Sequence, residues 1–254
     1  MASTLFQRPT MVNIMQIKAI KTDRVTQPQD LNRFVDAALP ILMEGTIVVI
    51  TSKVVSLCEG RTVDMTTISK KALIHREADC VIPSDGKEER IVLTYKNRIL
   101  IPSAGIDESN SNGRYILYPH DPFLSAKNLY AYLKQQRHLK HLGVLITDSH
   151  TTPLRRGVTG IALAWWGFQP CKSLVGAPDL FGHPLQVTHI NVADALAVSA
   201  VFNMGESSEC TPLAIITNAP HVQFDDGITA HNIDEIAIDP QIDLYRPLLK
   251  ALLK

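Results

Sequence analysis

Two short stretches, Thr46-Ile-Val-Val-Ile-Thr51 and Gly143-Val-Leu-Ile-Thr-Asp148, form the centre of the predicted fold. Both are rich in aliphatic and β-branched residues and are bounded by turn signals, a pattern typical of buried strands. The first stretch runs directly into Ser52 and Lys53, and the second ends in the carboxylate of Asp148. Because rigid strands hold their terminal side chains in fixed directions, the ends of these strands are candidate positions for a functional site.

Further helices and strands are predicted on either side of these two stretches. The segment after Asp30 has helical spacing, and Pro40 predicts that this helix kinks or stops early. A longer helix is predicted from Pro122 to about Arg137. Its predicted buried face carries Leu124, Leu129 and Leu133. The remaining clear elements are a helix at 192–202 and strands near 98–104, 186–191 and 212–217.

The composition excludes several classes of protein. Of the 254 residues, 45% are apolar and 20% are charged, as in ordinary globular proteins. The 25 Lys and Arg residues balance the 25 Asp and Glu residues, so no global field attracts nucleic acid or an anionic membrane. No run of about 18 apolar residues is present, and the four cysteines form no CxxC motif. We therefore expect a cytoplasmic protein that binds neither nucleic acid nor membrane.

Three carboxylates lie at predicted strand or helix ends: Asp107, Asp148 and Glu206. Oxygen donors of this kind, with a neighbouring hydroxyl, suit Mg²⁺ or Mn²⁺ better than zinc. The alternative is that these carboxylates are helix caps or solvated chain ends. The sequence contains no GxxxxGK(S/T), GxGxxG, HExxH or GxSxG pattern, so any nucleotide must bind without a Walker loop or a Rossmann turn.

Five groups of residues, in this order along the chain, carry a family resemblance that covers about residues 17–217. They are Thr51-Ser-Lys-Val-Val-Ser56 with Glu59-Gly-Arg61, Ala104-Gly-Ile-Asp-Glu-Ser-Asn110, Asp121-Pro122 with Ser125-Ala126, Ile146-Thr-Asp-Ser149, and Val192-Ala-Asp-Ala-Leu-Ala197 with Met204-Gly205. Together these motifs resemble the coenzyme F420-0:L-glutamate ligases, which add γ-linked glutamates to a deazaflavin cofactor. Each motif is weak alone, but five in one order are specific.

The resemblance implies a nucleotide-dependent amide ligase with an α+β fold of mixed and antiparallel sheets. In this family GTP phosphorylates the terminal carboxylate of the acceptor, and L-glutamate attacks the acyl phosphate. Two divalent metal ions per site, Mg²⁺ or Mn²⁺, neutralise the crowded charges, and K⁺ is a further expected cation. The resemblance also implies a homodimer. The catalytic domain would span 17–217, followed by a tail at 218–254 that docks on it.

The resemblance implies roles for individual residues. Asp107 and Asp148 would hold one metal, and Ser149 and Glu206 a second. The expected nucleotide contacts are Thr22, Asp23, Arg24, Val25, Ser52, Lys53, Asn110, Met204 and Gly205, with the rest of the loop 204–211. Arg155 completes the predicted catalytic set with the two aspartates, as a candidate ligand for a substrate carboxylate; a solvated loop arginine is the alternative.

Two departures from the family pattern concern activity and the acceptor. Leu57 stands where the family usually has a second lysine, which removes an expected phosphate contact. The segment Asp148-Ser-His-Thr-Thr-Pro-Leu-Arg-Arg156 replaces the usual Asp-Thr-Phe-Gly-Arg-Pro-Trp-Arg. We therefore hypothesise that the acceptor is either F420-0-like or a folate, which also joins a pterin-like ring to a γ-glutamyl tail. One alternative is a relative that uses the nucleotide in a reaction other than amide formation. The other is a homologue that binds nucleotide or pterin without turnover.

Overall fold

The structure is a computed structural model that describes residues 14–26, 28–83 and 91–249, so residues 250–254 of the predicted tail lie outside it. The helices are α1 (Leu31–Ala38), α2 (Ser52–Cys58), α3 (Lys70–Glu77), α4 (Pro122–Arg137) and α5 (Val192–Met204). The strands are β1 (Gln16–Ile20), β2 (Thr46–Thr51), β3 (Thr62–Asp64), β4 (Cys80–Val81), β5 (Leu93–Lys96), β6 (Ile99–Pro102), β7 (Arg114–Ile116), β8 (Leu142–Thr151), β9 (Val158–Trp166), β10 (Cys171–Ser173), β11 (His189–Asn191) and β12 (Leu213–Thr217). No helix within these ranges is both long and apolar enough to cross a bilayer.

A five-stranded mixed sheet organises the molecule, with the order β1-β12-β2-β8-β9. The strands β2 and β8 are parallel, in a register that runs from Thr46 beside Leu142 to Thr51 beside Thr147. The other neighbours in this sheet are antiparallel. The predicted α+β class with mixed and antiparallel sheets is therefore confirmed.

The side chains of β2 alternate between the two faces of this sheet. Val48 and Ile50 pack in one core cluster with residues of α1 and α4, whereas Ile47 and Val49 pack in another with α5. All four side chains are fully buried. This two-sided burial explains why β2 consists of an unbroken run of apolar residues rather than an alternating one.

A smaller layer carries the Asp107 loop. It consists of the pair β3–β7, the sheet β4-β5-β6 and α3. Leu73, Ile74, Ala104 and Leu117 belong to its own core cluster. The layer reaches the candidate site through Asp107, whose backbone exchanges two 2.9 Å hydrogen bonds with Ile116.

The predictions of helices α1 and α4 are confirmed, apart from one residue on the buried face of α4. Asp30 caps α1, which ends two residues before Pro40, and α4 spans the predicted residues. The assignment of Leu124 to the buried face of α4 is wrong, because its side chain is 51% exposed. Leu124 lies five residues from Leu129, which at about 100° per residue turns it roughly 140° away from the buried stripe.

The chain after β12 contacts the main sheet at several points. The indole nitrogen of Trp166 donates a 2.9 Å hydrogen bond to the carbonyl of Gly227. His231 is 4% exposed, and its ring lies between Asp225 at 2.8 Å and Glu235 at 3.0 Å. The stretch around residues 224–235 is therefore fixed by specific polar contacts.

Glu77 is predicted to stabilise the smaller layer through a partly buried charge cluster. Its carboxylate accepts from Arg61 at 3.0 Å and Lys96 at 3.3 Å, and the Glu77 and Lys96 side chains are only 12% and 10% exposed. Glu77→Gln leaves the Lys96 ammonium without its charged partner, so we expect the free energy of unfolding to fall by about 3 kcal/mol in urea titrations. The control is Asp234→Asn, which removes the 68% exposed partner of Arg98 and should change this energy by less than about 1 kcal/mol. Equal losses in both variants would contradict this role of Glu77.

Candidate active site

The parallel strands β2 and β8 bring Ser52 and Asp148 together. Thr51 and Thr147 are partners in the ladder, so the next residue of each strand lies at the same edge of the sheet. Ser52 begins α2 and is 4% exposed, and its hydroxyl is one of the groups that stabilise the Asp148 carboxylate. The sequence prediction that these two strand ends share a site is consistent with this register.

Asp148 does not end its strand, contrary to the sequence prediction. β8 continues to Thr151 and pairs with β9, in which Ile161 is the partner of Asp148. The continuation exists because β9 returns as a hairpin partner, and the sequence pattern did not identify that strand. Asp148 is therefore held on a paired ribbon that extends beyond the end of β2.

The electrostatic surroundings of Asp148 favour its protonated form. Burial and the nearby Asp107 charge raise the pKa of Asp148 to about 6, against the lowering effect of Tyr118, the Ser149 N–H and Ser52. The Tyr118 hydroxyl is buried but makes no hydrogen bond of normal geometry within the described part of the chain. Its ring lies against Gly105, where a Cβ would approach to 2.3 Å at a φ of +70°. Only glycine fits this position, so Gly105 allows Tyr118 to lie beneath Asp148.

Lys53 holds the second aspartate. Its ammonium lies 2.5 Å from the Asp107 carboxylate and 2.9 Å from the Ser109 hydroxyl. The Ser109 N–H also donates to Asp107 at 2.6 Å. Although burial raises the pKa of Asp107, Lys53 and Ser109 lower it below its usual value. Asp107 is therefore ionised near neutral pH, with a lysine as its counter-ion.

The loop after α5 connects the other predicted residues. The Ser149 hydroxyl donates to both carboxylate oxygens of Glu206, at 2.7 and 2.8 Å. Asn110 donates from its side chain to the Ser207 carbonyl at 3.0 Å, and the Thr22 N–H donates to the Cys210 carbonyl at 3.0 Å. Two predicted segments, 22–25 and the Asp107 loop, are thus hydrogen-bonded to the loop 204–211, which carries Glu206.

Two predicted site residues offer a ligand fewer contacts than the sequence suggested. The Met204 side chain is 3% exposed in the core beneath α5, so only its backbone is available to a ligand. Arg155 is exposed on the turn after β8, and within the described ranges its guanidinium makes no hydrogen bond or ion pair with another candidate residue. The roles of both residues, like those of the other site residues, stay predictions.

Some motif residues make structural hydrogen bonds rather than contribute side chains to the candidate site. The Glu59 carboxylate accepts from the His120 N–H at 3.0 Å and from the Ser125 hydroxyl at 2.5 Å. Arg61 donates to the Tyr118 carbonyl at 3.1 Å, in addition to its pair with Glu77. These contacts fix the segment that carries Tyr118, a neighbour of Asp148 that sequence reasoning missed because no motif contains it.

The donor chemistry fits hard divalent cations. Asp107, Asp148, Ser149 and Glu206 offer only carboxylate and hydroxyl oxygens, the ligands that Mg²⁺ and Mn²⁺ prefer. The Asp107 charge raises the proton affinity of Asp148, and a carboxylate pair of this kind is a favourable place for a cation. Among the described residues, no group of three or more His, Cys, Asp or Glu side chains is arranged so that it could hold a metal ion on its own. The metal assignment therefore rests on two pairs of residues, and Lys53 now provides the positive charge beside Asp107.

The raised pKa predicts that Asp148 destabilises the metal-free protein. Burial raises the pKa of the folded carboxyl to about 6, from about 3.9 for an unperturbed aspartate, so the folded state binds the proton more tightly and stability falls as pH rises through that window. Asp148→Asn cannot ionise, and we expect its free energy of unfolding to exceed that of the parent by about 2 kcal/mol near pH 7.5 with chelator present. The difference should vanish below about pH 4. Urea titrations at both pH values measure it, and a variant that is less stable than the parent at neutral pH would contradict this charge assignment.

Comparison with known proteins identifies the family. The family described as F420-0:Gamma-glutamyl ligase matches residues 19–218. The chain is 33% identical to the coenzyme F420:L-glutamate ligase of Methanothermobacter thermautotrophicus over 205 residues, which is 74% of this chain and 81% of that protein. It is 34% identical to the Methanococcus maripaludis protein of the same name over 73% of this chain and 80% of that one, and 29% identical to that of Methanopyrus kandleri over 79% and 86%. With more than half of its length matched and the predicted resemblance confirmed, the chain belongs to the F420-0:gamma-glutamyl ligase family.

Proposed function

We propose that the protein is a nucleotide- and metal-dependent amide ligase that adds L-glutamate in γ linkage to the terminal carboxylate of a cofactor. The observation that carries this proposal is the convergence of Ser52, Lys53, Asp107 and Asp148 at one sheet edge within the family-matched residues. The relatives named above are coenzyme F420:L-glutamate ligases. The cluster provides the positive charge and oxygen ligands that phosphoryl transfer requires.

The chemistry follows from the poor reactivity of a carboxylate. An acceptor carboxylate oxygen attacks the γ-phosphorus of GTP or ATP, and the nucleoside diphosphate leaves. The amine of L-glutamate then attacks the acyl phosphate carbonyl, loses a proton and displaces inorganic phosphate, which leaves an amide. One nucleotide is consumed for each amide bond, and one oxygen of the acceptor carboxylate ends in the phosphate.

The chain's own residues have distinct tasks in this reaction. Lys53 and Ser52 would hold nucleotide phosphates, while Asn110 and the segments 22–25 and 204–211 would line the nucleotide. Asp107 with Asp148, and Ser149 with Glu206, would hold the two divalent ions, with K⁺ as a further cation. The divalent ions would supply charge neutralisation for the phosphates and carboxylates. Arg155 would bind a substrate carboxylate, and its side chain is exposed on the turn after β8.

The acceptor is the part of the proposal in which this chain departs from its relatives. The names of those relatives specify F420, and the motifs around Lys53 and Asp107 are retained. The loop 148–156, which follows a candidate metal ligand, is rewritten. A ligase with retained phosphate chemistry and an altered acceptor side favours a second γ-glutamyl acceptor, for which we propose a folate beside the F420-0-like compound.

The test is a mass-spectrometric assay of the purified protein with L-glutamate, Mg²⁺ or Mn²⁺, and GTP or ATP. Parallel reactions contain F420-0 or a folate monoglutamate, and omission of each component is the control. We expect a product heavier by one glutamyl unit with at least one acceptor. No product with either acceptor, across both metals and both nucleotides, would overturn the ligase proposal.

A non-catalytic homologue is the second candidate, and Leu57 is the observation that favours it. This residue lies in α2 four positions after Lys53, where the family usually places another phosphate-binding lysine. A protein without turnover would bind nucleotide or pterin and form no amide. Nucleotide hydrolysis without amide formation would instead indicate a relative that uses the nucleotide in another reaction. A homodimer is also proposed, and sedimentation of the purified protein tests it.

A further inference from the structure

A cavity of about 570 Å³ lies beside the candidate active site and has no assigned role. Its walls come from β5 and β6, from the β8–β9 ribbon and from the chain after β12. The apolar wall residues include Leu93, Ile99, Ile161, Ile236 and Ile238. A volume of 300–1,000 Å³, with apolar walls and a few polar groups, is typical of small-molecule pockets.

The β8–β9 ribbon joins this cavity directly to Asp148. Ile161 lines the cavity and is the ladder partner of Asp148, so the two side chains share one face of the ribbon. His150, another wall residue, lies two positions further along β8. It is therefore on the same face and about 7 Å from Asp148. A ligand that fills the cavity reaches the candidate metal ligand with a short arm.

Polar groups at fixed positions line the same cavity. His150 Nδ1 lies 3.2 Å from the Thr159 carbonyl, and because a carbonyl oxygen can only accept, this nitrogen is the donor. Tyr95 adds a hydroxyl, and Arg98 adds a guanidinium that is paired with Asp234 at 3.1 Å. Apolar walls with donors and acceptors at the rim suit a flat heteroaromatic ring whose edges carry amide-like groups.

The rewritten part of the sequence lines this cavity. Residues 150–153 fall in the loop that departs from the family pattern, and all four belong to the wall. The wall also includes Ile233, Ile236 and Ile238, which lie beyond the last residue that the family matches, residue 218. The cavity is therefore lined in part by the rewritten loop and in part by residues beyond the family match.

We propose that this cavity binds the heteroaromatic ring of the γ-glutamyl acceptor and so determines which acceptor is used. The inference rests on the proposed ligase function and adds to it the location of the acceptor ring. The ring would lie between the 150–153 loop and the 233–238 segment, with its glutamyl carboxylate directed along β8 toward Asp148.

Equilibrium dialysis of the purified protein against folic acid and against F420-0, with a separate titration of nucleotide, tests the proposal. Ile238→Trp places an indole in the cavity wall, from a side chain that is 58% exposed and hence tolerant of replacement. The matched control is Ile242→Trp, on the same segment but 80% exposed and outside the wall. We expect Ile238→Trp to raise the Kd of the bound acceptor about tenfold and to leave the nucleotide Kd within about twofold. The control should change neither constant.

The outcomes separate this proposal from the ligase function. Acceptor binding that depends on Ile238 without any glutamyl product would support the cavity and overturn the function. Glutamyl product formed by Ile238→Trp with the parent's acceptor KM would support the function and overturn the cavity. Failure of the parent to bind either acceptor, or equal weakening by both tryptophan variants, would also overturn the cavity.

Discussion

Asp148→Asn should reduce glutamyl transfer by about a thousandfold or more. Asp148 lies where β2 and β8 meet, beside Ser52 and within the field of Asp107. An amide at this position has the same shape but neither the charge nor the second oxygen acceptor needed to hold a divalent ion. The expected measurement is kcat from the mass-spectrometric assay at saturating nucleotide and glutamate.

The matched control for this loss is Glu108→Gln. Glu108 follows Asp107 in the same loop, is 46% exposed and pairs with Lys70 at 3.3 Å, so its removal should leave kcat within about twofold. Asp148→Asn is expected to be more stable than the metal-free parent at neutral pH, and a urea titration under the assay conditions separates a loss of activity from unfolding. Retention of more than about a tenth of the parent's kcat by Asp148→Asn would exclude Asp148 as an essential ligand.

Lys53→Gln should lower kcat/KM for the nucleotide by about a hundredfold. The Lys53 ammonium already touches the Asp107 carboxylate and the Ser109 hydroxyl, so it is held in place before any phosphate arrives. Glutamine keeps a polar end but removes the charge that phosphate oxygens and Asp107 share. The Asp107 pKa should rise in this variant, because Lys53 is a main cause of its lowering.

Lys70→Gln is the corresponding control for the lysine. Lys70 pairs with Glu108 in the Asp107 loop, so the same charge is removed a short distance along the loop. We expect its nucleotide kcat/KM to stay within about threefold of the parent. Similar losses in the two variants would show that general charge, rather than the position of Lys53, attracts the nucleotide.

The secondary structure was predictable where one principle dominated. The buried run of β2 and the proline-initiated helix α4 have local signals that packing does not override. β9 had no such signal, because its glycine and small residues pack against α5 while Trp165 and Trp166 are buried at its end. Without β9, the extension of β8 past Asp148 could not be predicted either, since a strand's length depends on its partner.

The candidate site was predictable in composition but not in arrangement. Motif order placed Lys53, Asp107 and Asp148 in one site, which the strand register and the ion pair bring together. Spacing along the chain gave no indication that Tyr118 lies beneath Asp148, or that Arg61 holds the Tyr118 carbonyl. Those contacts join separate parts of the sequence, so only the folded structure reveals them.

Oxygen transfer from the acceptor carboxylate to phosphate tests the proposed ligase chemistry most directly. The acceptor is prepared with ¹⁸O in its terminal carboxylate and incubated with the protein, L-glutamate, metal ion and nucleotide. We expect each glutamyl product to be matched by one inorganic phosphate that carries a single ¹⁸O atom, because the carboxylate oxygen passes through the acyl phosphate. Amide product accompanied by unlabelled phosphate, or phosphate released without amide product, would contradict the proposed reaction.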